Sequence, residues 1–295
     1  MHNDLEVVAI VRGLKAAKYR ALSYITLDLI IWIGVAWLAL KADHWWLTLP
    51  AVIFIGAVPM HNLLVYGHEG THGLISRGQL VNAFFLWLIH ALIGLSGTAY
   101  RVFHLTHHRY AHTDKDPEYR LLSSVIGGAP GWSYLFIPII SHLGVNLFPF
   151  REPCSALTRR RTLLDLAAAA LLQTVLAVVV GIESYLLFII LPIFTSLSMV
   201  VAMRSLCEHH GTYMGSRWTN TRTINTNWLV ELLWSNVNYH LEHHLFPTVP
   251  CHRLPIVHRL LSPRYVEHKS VIDRGYLRTA WALLQEPTHI KNREV

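Results

Sequence analysis

Asn236–Val237–Asn238–Tyr239–His240–Leu241–Glu242–His243–His244, running into Leu245–Phe246–Pro247, is the stretch that decides how this chain is read. Its histidines stand at i, i+3 and i+4, and on a helix that spacing turns all three imidazoles to one face. The same spacing recurs upstream at His104, His107 and His108, and His68 and His72 sit four apart. Repeated histidine boxes in an otherwise apolar chain point to a metal site beside a membrane.

The composition supports a membrane setting. Of 295 residues, 53% are hydrophobic and 15% charged, against roughly a quarter charged in soluble domains. Mean hydropathy is +0.35. The net charge of +7 is clustered between the apolar stretches. No basic helix interleaved with aromatics is present, so cytoplasmic loops explain the charge and nucleic-acid binding is not expected. Cys154, Cys207 and Cys251 show no CxxC spacing, so neither a disulfide framework nor a thiolate metal site is indicated.

Outward from the boxes, the expected architecture is all-α. Residues 4–20 form a basic amphipathic segment suited to a membrane surface, and their polarity excludes a cleaved signal peptide. Four spans are expected at about 21–40, 47–66, 163–180 and 184–203. Asp28 lies near the middle of the first, where an acid is either a functional candidate or held structurally by a partner such as Ser23 or Tyr24. Pro59 is deep enough in the second to kink it. Residues 82–99 are apolar but short for a crossing, and Leu121–Phe150 is interrupted by Gly127–Gly128, Pro130–Gly131 and Pro138.

Orientation follows from basic residues. The turns at 41–46 and 181–183 hold only Lys41. The opposite side holds Lys15, Lys18, Arg20, Arg77, Arg101, Arg109, Arg159, Arg160, Arg161, Arg204, Arg217 and Arg222. Both termini and every box are therefore expected on the cytoplasmic face. Parity agrees: a full crossing by residues 82–99 would separate His68 and His72 from His104, so that segment should be re-entrant or interfacial. The expectation is one domain over 1–295, with four spans in two hairpins and cytoplasmic regions 67–162 and 204–295 forming a helical cap.

The boxes offer eight imidazoles: His68, His72, His104, His107, His108, His240, His243 and His244. Imidazole suits zinc, copper, iron and nickel, and eight donors are enough for two metals with positions left open. Neutral imidazoles leave the metal charge uncancelled, so outer carboxylates should help. Glu69, Asp114, Asp116, Glu208 and Glu242 are the candidates, each also readable as a loop charge. His112, His210 and Asn236 flank the boxes as further second-layer candidates.

HEGTH at 68–72, HLTHHRYAHTDKDPE at 104–118 and NYHLEHHLFPTVP at 238–250 together resemble the membrane fatty acid desaturase/hydroxylase superfamily, over roughly residues 45–260. The resemblance implies two non-haem irons, O2 as co-substrate, and removal of hydrogen from an unactivated C–H bond of a lipid. It implies a separate electron donor of ferredoxin or cytochrome b5 type, because the His-Pro-Gly-Gly of fused cytochrome b5 domains is missing. The eight box histidines take ligand roles by this resemblance, and a ninth maps onto His209. Glu208–His209 matches the superfamily's acid–histidine pair, and adjacent helical residues point about 100° apart. His210 is then left outside the ligand set. The three-residue spacing of the first box is nearer the acyl-lipid, sphingolipid and carotenoid-oxidising branches than the acyl-coenzyme A desaturases. The expected setting is a bacterial inner membrane or the endoplasmic reticulum.

Two other classes compete. HEGTH also fits the H-E-x-x-H zinc metalloprotease helix, with Glu69 as base, but that leaves both HxxHH boxes without a role. A metal transporter should place its site near mid-membrane, whereas these boxes flank the spans. Desaturation, hydroxylation and ketone formation, including a carotenoid-type hydroxylase or ketolase, stay open at this point.

Overall fold

The computed structural model describes residues 9–11, 13, 14, 20–126 and 131–285. The expected surface segment at 4–20 lies mostly outside them, as do Gly127, Gly128 and Pro130. In chain order the helices are α1 (Arg20–Ala42), α2 (Trp45–Thr71), α3 (Gln79–Ala91), α4 (Gly97–Tyr110), α5 (Pro117–Ile126), α6 (Ile137–Arg151), α7 (Ala156–Val180) and α8 (Ile182–His209). Strand β1 (Arg222–Asn225) follows, then α9 (Trp228–Leu233), α10 (His240–Leu245), α11 (Leu254–Leu261), β2 (Val271–Arg274) and α12 (Tyr276–Leu284). The chain is thus mostly helical, with one short parallel strand pair, Arg222 opposite Val271 through Asn225 opposite Arg274, that the all-α expectation did not include.

Among the described residues α1, α2, α7 and α8 are long and apolar enough to cross a membrane. They contain the four expected spans and overrun them, because a helix continues past the hydrocarbon once its backbone is already bonded. Their outer faces carry Ile30, Ile33, Leu171 and Val178, all exposed. In water such surfaces would be a liability; against lipid tails they are the expected lining. The 13-residue α3 is about 20 Å long, short of the roughly 30 Å hydrocarbon core.

The chain divides into two compact units. The first comprises Lys18–Leu105 and Phe136–Val201. Its tightest approach is between α2 and α8: a Cβ added to Gly56 would meet Ser196 Oγ at 2.1 Å and Leu197 N at 2.8 Å, so only glycine fits. Ser196 donates its hydroxyl to Val52 O at 3.2 Å in the same crossing. The backbone there is π-helical, at Gly56–Met60 around Pro59 and at Leu186–Ile190 and Ile193–Leu197 on either side of Pro192. A proline offers no N–H to the preceding turn, and a local π segment absorbs the mismatch. Gly181, with φ at +83°, ends α7 and lets α8 start immediately.

Asp28 is answered from another helix than expected: Asn62 Nδ2 on α2 donates to its Oδ1 at 3.2 Å. A second membrane acid positions the site. Asp165 on α7 accepts Ser96 Oγ–H at 2.9 Å and the Thr98 N–H at 2.8 Å. Ser96 Oγ in turn accepts from Ala99 N at 3.1 Å. The first turn of α4, the helix that carries the second histidine box, is thereby capped by a hydroxyl and a carboxylate.

The second unit gathers the described residues of Met1–Ala17, Thr106–Leu135 and Ala202–Val295. Here Arg222, buried on β1, donates through Nη1 to Cys207 O at 2.7 Å and His210 O at 2.9 Å. Those are carbonyls at the end of α8 that a helix cannot satisfy itself. Its Nε pairs with Asp273 on β2 at 2.8 Å, so the strand pair holds the arginine that closes the helix.

Candidate metal centre

In the first unit three box histidines converge. His68 and His72 leave the last turn of α2, and His104 comes from α4. Their ring centroids lie 4.4 to 5.1 Å apart, and His72 Nε2 is 3.1 Å from His104 Nε2. A ring stack fixes His104 from behind: Tyr100 lies parallel to it at 5.5 Å. Tyr100 packs in turn on His90 at 4.2 Å, whose Nδ1–H donates to Leu86 O at 2.7 Å. Burial, reinforced by Arg101, pulls His72 down to about 4, so it stays neutral with a lone pair available.

In the second unit six more converge. His240, His243 and His244 lie together on the single turn of α10 and are all buried. His240 Nε2 sits 3.0 Å from His209 Nε2 and 3.1 Å from His244 Nε2. His243 Nε2 sits 3.0 Å from His108 Nε2, and His107 packs edge-on against His209 and His244 at 5.0 and 5.1 Å. The ligand nitrogens of His107, His209 and His244 all lie within 4.8 Å of one another. Burial lowers both His240 and His244.

These spacings match what metal coordination requires. Two metal–nitrogen bonds of about 2.1 Å at a right angle put their nitrogens about 3.0 Å apart. Hydrogen bonding between the rings does not account for the pattern, because a neutral imidazole has one N–H and His240 Nε2 faces two other nitrogens. Lone pairs aimed at common points are a fit donor set for a divalent first-row metal.

The carboxylates take distinct places around these rings. His107 Nδ1–H donates to Asp116 at 2.9 Å to Oδ1, which leaves Nε2 facing the cluster. Asp116 also accepts the His112 N–H at 2.8 Å and the Glu118 N–H at 2.9 Å, folding the loop after the box around itself. Burial would lower His107, yet Asp116 and Glu118 outweigh it and push it up to about 9. Burial would raise Asp116, and the histidine and N–H donors hold it below the usual range instead. A field that favours a proton on His107 also favours a metal cation there.

Glu208 is gripped by Arg204 at 2.7 Å and stands 3.6 Å from His240 Nδ1. Glu242 points off the opposite side of α10 and is fully buried. It accepts Thr223 Oγ1–H and His258 Nδ1–H at 2.5 Å and Tyr265 O–H at 2.6 Å. Glu69 is buried beside His68. His112 and the end of α8 share Thr212, whose Oγ1 lies 3.1 Å from His112 Nδ1 and 2.8 Å from His209 O. Burial lowers His112 to about 4. His210 is in none of the groups that could hold a metal among the described residues; burial and Arg222 pull it to about 4 as well. Asn236 has φ at +58° and its N–H bonds Glu231 O at 2.8 Å, a turn position.

Thr223, His258 and Tyr265 carried no sequence signal, and Arg204 entered only as a basic residue at the end of a span. Each is an ordinary residue outside the boxes and acquires a role at the site only through contact.

Helices fit to cross a membrane and convergent imidazoles define the class as an integral membrane protein with histidine clusters able to hold metal. The fatty acid desaturase family model matches residues 43–276, and the chain belongs to that family. Relatives include a sphingolipid delta(4)-desaturase/C4-monooxygenase of Rattus norvegicus, 25% identical over 248 residues, 81% of this chain and 73% of that protein. A chloroplastic sn-2 acyl-lipid omega-3 desaturase (ferredoxin) of Helianthus annuus is 23% identical over 271 residues, 80% and 60%. A beta-carotene ketolase of a Paracoccus strain is 30% identical over 241 residues, 75% and 86%.

Proposed function

We propose that the chain is a membrane-bound oxidase that uses O2 and external electrons to desaturate or hydroxylate an unactivated C–H bond of a lipid. Nine histidines hold two non-haem irons in this reading: His68, His72, His104, His107, His108, His209, His240, His243 and His244. The observation that carries it is the approach of imidazole Nε2 atoms to 3.0–3.1 Å in both units. Family membership supports iron and O2 over the zinc-protease alternative.

Bound iron supplies the oxidant. The chain's own residues hold and orient it: Asp116 fixes His107 with Nε2 free, Tyr100 and His90 set the His104 ring, and Glu208 stands behind His240. The relatives' names cover desaturation, C4-monooxygenation and ketone formation, so a fatty acyl or sphingolipid chain is the leading substrate. A carotenoid-type hydroxylase or ketolase is the second reading, supported by the 30% identical ketolase. The electron donor is a separate ferredoxin-type or cytochrome b5-type protein. The domain is single over 1–295, with four spans in two hairpins and the histidines on a cytoplasmic cap, as positive-inside bias supports.

Purified protein is expected to hold about two irons per chain and to form an oxidised lipid product in cells supplied with the donor. Alanine at His107 or His243 should abolish that product. Metal analysis and product profiling check this; one zinc and no iron, or full turnover in either variant, would refute the assignment.

A further inference from the structure

The second unit holds a cavity of about 590 Å³ that the histidine chemistry does not use. Gly211 just past α8, Arg222 on β1, Asp273 and Arg274 on β2, and Arg278 and Ala282 on α12 line it. Arg222 and Asp273 already neutralise each other at 2.8 Å. Arg274 and Arg278 are exposed, and no ion pair among the described residues takes up their charge. The cavity therefore presents two exposed guanidiniums, the group best matched to a phosphate.

Beside it lies an apolar face. Leu277 and Trp281, one turn apart on α12, are 80% and 70% exposed; Trp228 and Leu232, one turn apart on α9, are 73% and 64% exposed. Trp234, just past the end of α9, packs edge-on against Tyr276 of α12 at 4.8 Å. Exposed tryptophan and leucine beside arginine is the pattern of a helix lying in a membrane interface.

Depth points the same way. The 28-residue α8 is about 42 Å long, close to the roughly 40–45 Å of a bilayer with its headgroups. Arg222 bonds the carbonyls at its end, which puts the cavity beside the last turn of that helix.

We propose that this cavity binds the phosphate of an anionic membrane phospholipid between Arg274 and Arg278. Leu277 and Trp281 then seat α12 at the acyl boundary, and the face rests on the bilayer rather than on a protein.

The test is a nitroxide at Leu277→Cys or Trp281→Cys, with Glu267→Cys as the water-exposed control, in a Cys154→Ser background because Cys207 and Cys251 are buried. The full chain is placed in nanodiscs of phosphatidylcholine with or without phosphatidylglycerol. Labels at 277 and 281 should collide with oxygen more, and with a water-soluble nickel complex less, than the label at 267. Arg274→Gln with Arg278→Gln should expose them in phosphatidylglycerol discs, each arginine being worth roughly fivefold in attachment, and lysine at both positions should restore most of it. Labels as water-exposed as 267 would overturn the proposal and leave the face to a protein partner. Protection indifferent to the arginines would remove the headgroup site, and displacement by inorganic phosphate would assign it to a free anion. The readout is independent of iron, so it stands apart from the oxidase reading.

Discussion

Alanine at His209 is expected to remove iron and turnover together, whereas alanine at the adjacent His210 leaves both largely intact. His209 ends the helix and His210 follows it, and of the two only His209 belongs to the groups that could hold a metal among the described residues. His209 Nε2 lies 3.0 Å from His240 Nε2 and its ring packs on His107 at 5.0 Å. His210 is buried, and its carbonyl takes an Arg222 N–H at 2.9 Å. Loss of an outer partner typically costs about 10–100-fold in metal affinity, and loss of a ligand should exceed that. His210→Ala should lower the melting temperature modestly through the cavity it leaves. Iron per chain and product formation, measured on both variants after purification, decide the matter. Iron loss at His210→Ala with retention at His209→Ala would reverse the assignment.

Glu242→Ala is expected to be the most damaging change to stability. Its carboxylate is fully buried and accepts from Thr223, His258 and Tyr265 within 2.6 Å. Removing it strands three donors in a closed site, a loss on the order of 3–5 kcal/mol against a total of about 5–15 kcal/mol for typical proteins. These donors reach α10 from β1, α11 and the segment after it, so the histidine turn loses its backing. Glu242→Gln keeps one acceptor oxygen and should fall between. Thermal unfolding in detergent, followed with iron content, checks this. A variant that melts like the parent yet lacks iron would show that Glu242 acts on the metal and not on the scaffold.

The sequence made the histidine boxes legible because their spacing is local: three residues on one helical turn need no knowledge of the rest of the chain. The spans were legible for the same reason, since lipid imposes a length and a composition. What escaped it depended on contact. Asp28 stood out as a membrane acid, but its partner Asn62 comes from another helix. Asp165 lies among alanines and leucines and looks incidental until Ser96 and Thr98 meet it. The strand pair consists of two four-residue segments far apart in the chain, too short to show alternation. Pro59 announced a kink; that Pro192 would answer it on the opposing helix was not readable.

The π segment at Gly56–Met60 has a consequence for the angular phase of everything after it. Each added residue turns a helix by about 100°, and a π segment accommodates one without breaking the helix. His68 and His72 leave α2 downstream of that insertion, so their azimuth is set a dozen residues earlier. Restoring regular α geometry there would keep both histidines at nearly the same height and swing them about a quarter-turn away from His104. The glycine, the proline and the opposing Ser196 thus act as a phase lock. Along this helix a single-residue deletion near the crossing is a change at the metal site, while a conservative exchange on its lipid face is not.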